Sequence, residues 1–148
     1  MLKINEAVSK DSTDEEFRRL LWFLLGGSRG GENRAKILIA ISLRPTNLNR
    51  LAKLLGVDYR SIQHHMGVLE RNNLVLSTGK RYGVLYSIHP YLNYHFNVFE
   101  QVCNELGYSL LATDLLLSTV KASEEVAKDD NLNTKTQRIV LAGGELHQ

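Results

Sequence analysis

Residues 47–71 read NLNRLAKLLGVDYRSIQHHMGVLER, and this stretch predicts two short helices joined by a tight turn. Thr46 or Asn47 can cap the first helix, whose leucines repeat on one face. Gly56 stands where the turn needs a positive φ, and Asp58 can cap the second helix. A short helix, a glycine turn and a second capped helix together form the pattern of a helix-turn-helix.

The second helix, expected over residues 58–71, has one apolar and one polar face. Ile62, Met66 and Leu69 are expected to face the core because they recur at helical spacing. The opposite face is rich in Arg, Gln and His, and Gly67 keeps it shallow. Arg can fork onto guanine and Gln onto adenine in the major groove, whereas an ordinary surface helix more often carries Glu/Lys pairs. The predicted base contacts are Tyr59, Arg60, Gln63 and His64.

Further elements are expected on both sides of this pattern. Residues 32–43 predict a helix before the turn, and residues 74–77 and 84–88 are strand-like. The loop between the strands, residues 78–83, holds two glycines and the pair Lys80-Arg81, which indicates a β-hairpin with a basic tip. The predicted fold class is mainly α (α+β): a winged helix-turn-helix with flanking N- and C-terminal helices and a two-stranded wing.

Length and composition fit one globular domain with extensions. Of 148 residues, 43% are hydrophobic and 23% are charged, and the only cysteine is Cys103. No apolar run approaches the roughly 18 residues that a membrane helix needs, and a lone cysteine fits a reducing compartment, so a cytoplasmic location is predicted. Because no nucleophile, base and acid set separates from the structural pattern, we predict no catalytic residue and no enzyme activity.

Charge is divided unevenly along the chain, although the net charge is only +2. Residues 29–81 carry ten basic and three acidic side chains, whereas residues 82–120 have three acids and no Lys or Arg. The first segment can face a polyanion and the second can pack against protein, although a solvated basic surface would show the same counts. The predicted phosphate or wing contacts are Arg29, Asn47, Arg50, Lys53, Ser61, Lys80 and Arg81.

The segments that flank the basic region are apolar enough to need covering. Residues 17–25 form an apolar stripe with further apolar residues outside it, and residues 91–106 predict one long amphipathic helix. These helices either pack on each other within one chain or join two chains in a two-fold dimer, and the surplus of apolar residues favours the dimer. The predicted dimer residues are Phe17, Leu21, Trp22, Leu25, Leu92, Phe96 and Phe99.

These features divide the chain into four predicted parts. Residues 1–27 and 91–127 hold the helices for packing and dimerisation, residues 28–90 hold the DNA-binding domain, and residues 128–148 form a polar tail. The glycine-rich run at residues 26–31 lacks the Gly-Lys-Ser/Thr ending of a nucleotide-binding loop. It therefore predicts a flexible turn between two helices.

Residues 47–75 as a whole resemble the helix-turn-helix of archaeal ArsR-like winged-helix transcriptional regulators. The run at residues 29–34 resembles the lead-in of that group, and the resemblance covers roughly residues 17–90. It implies a homodimeric, sequence-specific regulator of transcription that binds double-stranded DNA. By this resemblance, residues 58–71 are the recognition helix in the major groove, and residues 77–84 are the wing on the backbone or the minor groove.

The same family includes metal sensors, whose ligands can be sought in this chain. Some members carry a Cys-x-Cys pair on the helix before the turn, where residues 48–55 contain no cysteine. His89, His95 and Cys103 are spaced six and eight residues apart, which does not place them on one helix face, so no metal or cofactor is predicted. Two other functions stay open: a winged-helix module that binds protein in a transcription or processing complex, and a ligand-gated sensor of the same fold.

Overall fold

The computed structural model describes residues 13–108, together with Leu117 and Lys121. Residues 13–22 form helix α1, which continues into a π turn at Phe23–Gly27. The elements that follow are α2 (Gly31–Leu43), α3 (Leu48–Leu55), α4 (Tyr59–Arg71), β1 (Val75–Thr78), β2 (Leu85–Ile88), α5 (Pro90–Tyr94) and α6 (Phe96–Glu105).

Residues 13–108 belong to one compact unit, and Leu117 and Lys121 belong to a second. Both of these isolated residues are helical and exposed. The predicted polar tail at residues 128–148, and residues 109–127 of the predicted C-terminal helical part except Leu117 and Lys121, lie outside the described residues. Within the described part of the chain, every helix is too short or too polar to span a bilayer.

The helix-turn-helix forms as its local sequence dictates. Asn47, and not Thr46, caps α3, because its side-chain oxygen accepts the Arg50 backbone N–H at 2.9 Å. Gly56 ends α3 in the left-handed region at φ +63°, and Asp58 caps α4 by accepting the backbone N–H of the third residue on, at 2.9 Å. Each bond spans three residues or fewer, so the turn is encoded locally.

The wing is an antiparallel pair in which Val75 lies opposite Ile88 and Thr78 lies opposite Leu85. Its strands begin one residue later than the sequence pattern predicts, at Val75 and Leu85. Gly79 turns the chain at φ +97°, and a Cβ on it would stand 2.3 Å from a backbone oxygen across the loop. The tight loop therefore requires glycine, and the structure confirms the predicted winged helix-turn-helix.

One apolar core joins the winged domain to its flanking helices. Leu25 lies in the π turn that follows α1 and is fully buried in this core, so the buried face that includes Phe17 continues to the end of this helix. The helices that flank the winged domain thus pack within one chain. The largest fully buried side chains are Phe17, Phe99, Leu21, Leu25, Ile37, Leu38, Ile41, Leu51, Ile62, Met66, Leu69 and Leu74.

The predicted single helix over residues 91–106 is wrong, because the chain breaks at His95 into α5 and α6. The imidazole of His95 is buried, and its Nδ1 lies 2.6 Å from Asp14 Oδ1. Its ring centroid lies 5.2 Å from that of Phe17 and 4.9 Å from that of Tyr91. Its partner Asp14 lies 81 residues away in the sequence, so helical spacing alone could not indicate that His95 is buried.

Candidate nucleic-acid interface

The outward face of α4 carries the predicted base contacts. Tyr59, Arg60, Gln63 and His64 are all exposed, and Tyr59 is 45% exposed. At about 100° per residue, these four side chains fall within an arc of about 140° on the first two turns of the helix. The buried residues of α4 lie on the opposite arc: Ile62, His65, Met66 and Leu69.

Gly67 lies near the middle of the outward arc. It is half-buried, and a Cβ built on it would contact only the end of the Arg71 side chain, at 3.4 Å. No neighbouring atom requires glycine at this position. The absence of a side chain leaves a shallow place on the helix, where a backbone or a base edge can approach closely.

The residues predicted to contact phosphate divide into two groups. Arg29, Arg50, Lys53 and the wing-tip pair Lys80-Arg81 are exposed. Asn47 and Ser61 have structural roles that account for their presence. Asn47 caps α3, and the hydroxyl of Ser61 donates to the carboxylate that caps α4, at 2.6 Å. Both remain predictions as phosphate contacts.

The cap of α4 also sets the charge at the start of this helix. The side chain of Asp58 accepts both the hydroxyl and the backbone N–H of Ser61. These bonds lower the pKa of Asp58 below its ordinary value, because they favour the ionised carboxylate. The cap is therefore negatively charged at neutral pH and complements the helix dipole.

Arg34 does not belong to the exposed basic surface, although the sequence analysis counted it among the ten basic groups. It is 4% exposed, and its Nε donates to the Leu24 carbonyl at 2.8 Å. Its two terminal nitrogens donate to the hydroxyl of Ser28 and, at 3.3 Å, to Nδ1 of His65. Burial lowers the pKa of Arg34. This side chain joins elements of the fold and is not available to a polyanion.

The tip of the wing carries an aromatic residue that sequence reasoning missed. Tyr82 is fully exposed and directly follows Lys80 and Arg81 in the loop. Arg81 itself adopts the left-handed region at φ +47°, a conformation that is uncommon outside glycine. An aromatic residue beside two cations at a turn is the sequence signal that would have identified this position.

The predicted dimer residues are mostly buried inside the single chain. Phe17, Leu21, Leu25, Leu92 and Phe99 are buried, and Phe96 is half-buried. Trp22 is 38% exposed, and its neighbour Phe23, which was not among the predicted dimer residues, is 62% exposed. An apolar surface at the end of α1 therefore remains, smaller than the sequence implied.

The three residues weighed as metal ligands each have another role. His89 caps α5 by accepting the Tyr91 N–H at 3.0 Å, and His95 pairs with Asp14. Cys103 is buried, which raises the pKa of its thiol to about 12. Across residues 13–108, no group of three His, Cys, Asp or Glu side chains is placed to hold a metal ion.

Comparisons with known proteins give structural likenesses only. No protein-family model matches the chain. No curated protein matches it. Reduced HlyU from Vibrio cholerae is 14% identical, covering 64% of this chain and 95% of its own, with a TM-score of 0.48. MarR from Staphylococcus aureus, in complex with salicylate and kanamycin, is 14% identical and covers 86% of this chain and 91% of its own (TM-score 0.47). ZitR from Lactococcus lactis, in complex with DNA, is 15% identical and covers 88% and 97% (TM-score 0.44). The winged-helix assignment rests on the elements of this chain itself.

Proposed function

We propose that this chain is a transcriptional regulator that binds double-stranded DNA in a sequence-specific manner. The observation that carries the proposal is the two-sided character of α4. One arc is fully engaged in the core, and the other presents Arg60, Gln63 and the shallow surface at Gly67 to solvent. A helix held in this way can enter the major groove and present its exposed side chains to the base edges in a fixed orientation. We place it among ArsR-like regulators on the sequence of residues 47–75.

The side chains have distinct roles in this proposal. Arg60 forks onto guanine and Gln63 onto adenine, because their paired donors and acceptors match those base edges. Arg50 and Lys53 contact phosphates and set the position of α4 without reading sequence. The wing tip, with Tyr82, lies on the adjacent backbone or minor groove. Because the proposed family is archaeal and archaeal cells have no nucleus, a protein that acts on genomic DNA there lies in the cytoplasm.

Selection from random-sequence duplexes tests this function. The wild-type protein is expected to enrich one short motif. Arg60→Ala or Gln63→Ala is expected to weaken binding to this motif by about 1–3 kcal/mol and to reduce the base preference at one or two of its positions. Asn97→Ala, an exposed change on α6, is the matched control and keeps the motif. Equal affinity for all duplexes would contradict sequence-specific binding, and the absence of binding to any duplex would favour a protein-binding module.

A two-fold dimer completes the proposed regulator. Trp22 and Phe23 form the exposed apolar surface at the end of α1, and a second copy that covers it would pair two α4 helices. Two recognition helices related by a two-fold axis read half-sites about one DNA turn apart. The selected motif is therefore expected to be an inverted repeat.

A ligand-gated sensor is the second candidate, and one cavity favours it. This cavity is a groove of about 510 Å³ that is open to solvent and lies between the end of α2, strand β2 and helix α5. Its lining combines Ser42, Ser87 and Asn93 with the ring of Phe96, and the described residues that line it include no ionisable side chain. A neutral, partly aromatic compound fits this lining, and because β2 belongs to the wing, an occupant would contact it.

A thermal-shift screen with small neutral aromatic compounds tests the sensor. A bound compound is expected to raise the unfolding temperature of the wild type and to lose this effect in Asn93→Ala. A compound that acts equally on both proteins would not occupy this cavity.

A further inference from the structure

Arg34 is a buried cation that has no negatively charged partner among residues 13–108. The residue is 4% exposed, and the partners of its guanidinium are the Leu24 carbonyl, the Ser28 hydroxyl and the imidazole of His65. Among the described residues, none of these groups carries a negative charge. Burying a charge costs free energy unless its donors find acceptors. The Arg34 site is therefore stable only while each partner is neutral and can accept a hydrogen bond.

His65 connects this cation to α4. The ring is 8% exposed and lies on the buried arc of the helix. Because Arg34 can only donate, Nδ1 of His65 must accept at 3.3 Å, and the ring proton belongs on Nε2. The imidazole also packs on Gly30, where a Cβ would stand 2.4 Å from Cε1. The contact therefore joins α2 and the loop before it to α4.

The charges around His65 oppose its protonation. Burial has the largest effect, followed by Arg34 from α2 and by His64 on α4 itself; together they lower the pKa of His65 below its ordinary value of 6.5. Asp58 at the start of α4 acts in the opposite direction and more weakly. The loop at residues 28–30 adds the Ser28 hydroxyl and exposed Arg29, and neither supplies a negative charge.

We propose that the Arg34–His65 contact is a proton-sensitive latch that holds α4 against α2 and the loop before it. A proton from solvent that binds Nδ1 removes the lone pair that accepts from Arg34. It also places two cations at hydrogen-bond distance in a buried site. The latch then opens, and α4 loses its tie to residues 28–34. Since α4 is the recognition helix of the proposed function, acid is expected to weaken DNA binding as well; only this last step rests on the proposed function.

The latch makes a signed prediction for the free protein. The unfolded chain binds a proton at His65 near pH 6.5, and the folded chain does so only at lower pH. Stability is therefore complete above pH 6.5 and falls as the pH decreases, until the folded pKa is passed. At a pH below both pKa values, each unit of separation between them has raised the unfolding equilibrium constant about tenfold relative to neutral pH.

Denaturant unfolding of the full chain at pH 7.5 and at pH 5 tests the latch, with His65→Gln and His64→Gln compared in parallel. Glutamine at position 65 can still accept from Arg34 but cannot titrate. We expect His65→Gln to lose part of the stability change between the two pH values. His64→Gln, an exposed change on the same helix, is expected to retain most of it, because burial and Arg34 lower the pKa of His65 more than His64 does. Equal pH dependence in wild type and His65→Gln would overturn the proposal.

An NMR titration of the histidine rings decides the case even if a variant fails to fold. In the wild type, the ring of His65 is expected to titrate below pH 6.5 as the Nε2–H tautomer. In Arg34→Met, its pKa is expected to rise. A wild-type His65 that titrates at or above 6.5 would refute the latch. A protein that behaves as expected here yet binds no duplex would refute only the proposed function.

Discussion

Replacing Gly67 by alanine separates the needs of the fold from those of the proposed interface. Gly67 is the ninth residue of α4, and the added Cβ would meet only Arg71 Nη1, at an ordinary contact distance of 3.4 Å. Alanine in a helix interior is more favourable than glycine by about 0.5–1 kcal/mol. We expect Gly67→Ala to stabilise the free protein by this amount, which corresponds to a rise in Tm of about 1–4 °C for a chain of this size.

The same methyl group is expected to impair DNA binding. It projects from the middle of the outward arc, between Gln63 and Arg60, into the space that a duplex would fill. An added group in a closely packed contact typically costs about 1–3 kcal/mol, which is about a 5- to 150-fold loss of affinity. Stability and affinity should therefore change in opposite directions.

Urea unfolding and fluorescence anisotropy with a selected duplex measure the two effects. Gly56→Ala is the contrasting variant, because Gly56 has open space around it but lies at φ +63°. A side chain there costs about 1–2 kcal/mol of stability through backbone strain alone. If Gly67→Ala raised stability and left affinity unchanged, the duplex would not approach α4 at this face. If it lowered stability, our description of the surroundings of Gly67 would be wrong.

Three further predictions concern other parts of the chain. Replacing Lys80 and Arg81 together by alanine should weaken binding to all duplexes alike. In salt titrations, the slope of the logarithm of the DNA association constant against the logarithm of the salt concentration should decrease in magnitude by about 2. A changed motif would contradict the positioning role of the wing. Phe23→Asp should convert a dimer to the 16.7 kDa monomer, as light scattering would show. Leu43→Asp, a change at a comparably exposed apolar site, should leave the dimer intact. A wild-type monomer that binds DNA tightly would exclude the dimer. Asp58→Ala should lower the urea midpoint at pH 7. It should also remove the part of the acid destabilisation that appears as the pH falls below 3.8 and through the folded pKa of Asp58. If the variant lost stability with acid as the wild type does, the cap would contribute nothing.

The helix-turn-helix and the wing were predictable because their signals act over a few residues. The caps at Asn47 and Asp58 bond to N–H groups three positions away, and Gly56 and Gly79 adopt the positive φ that their turns require. The exposed arc of α4 follows from the same helical period that buries Ile62. Capping residues and helical spacing involve only neighbouring residues, so this part of the candidate interface could be predicted from the sequence alone.

Tertiary structure decided which charged and apolar groups face solvent. Arg34 counts as a surface cation in any sequence tally, and only its contact with His65, 31 residues away, shows that it is buried. In the same way, the burial of His95 is shown only by its contact with Asp14, 81 residues away. Phe17 and Phe99 are apolar whether they face the core or a second chain, and the fold places both inside. Composition specifies the chemistry of a side chain, whereas burial depends on which distant segment packs over it.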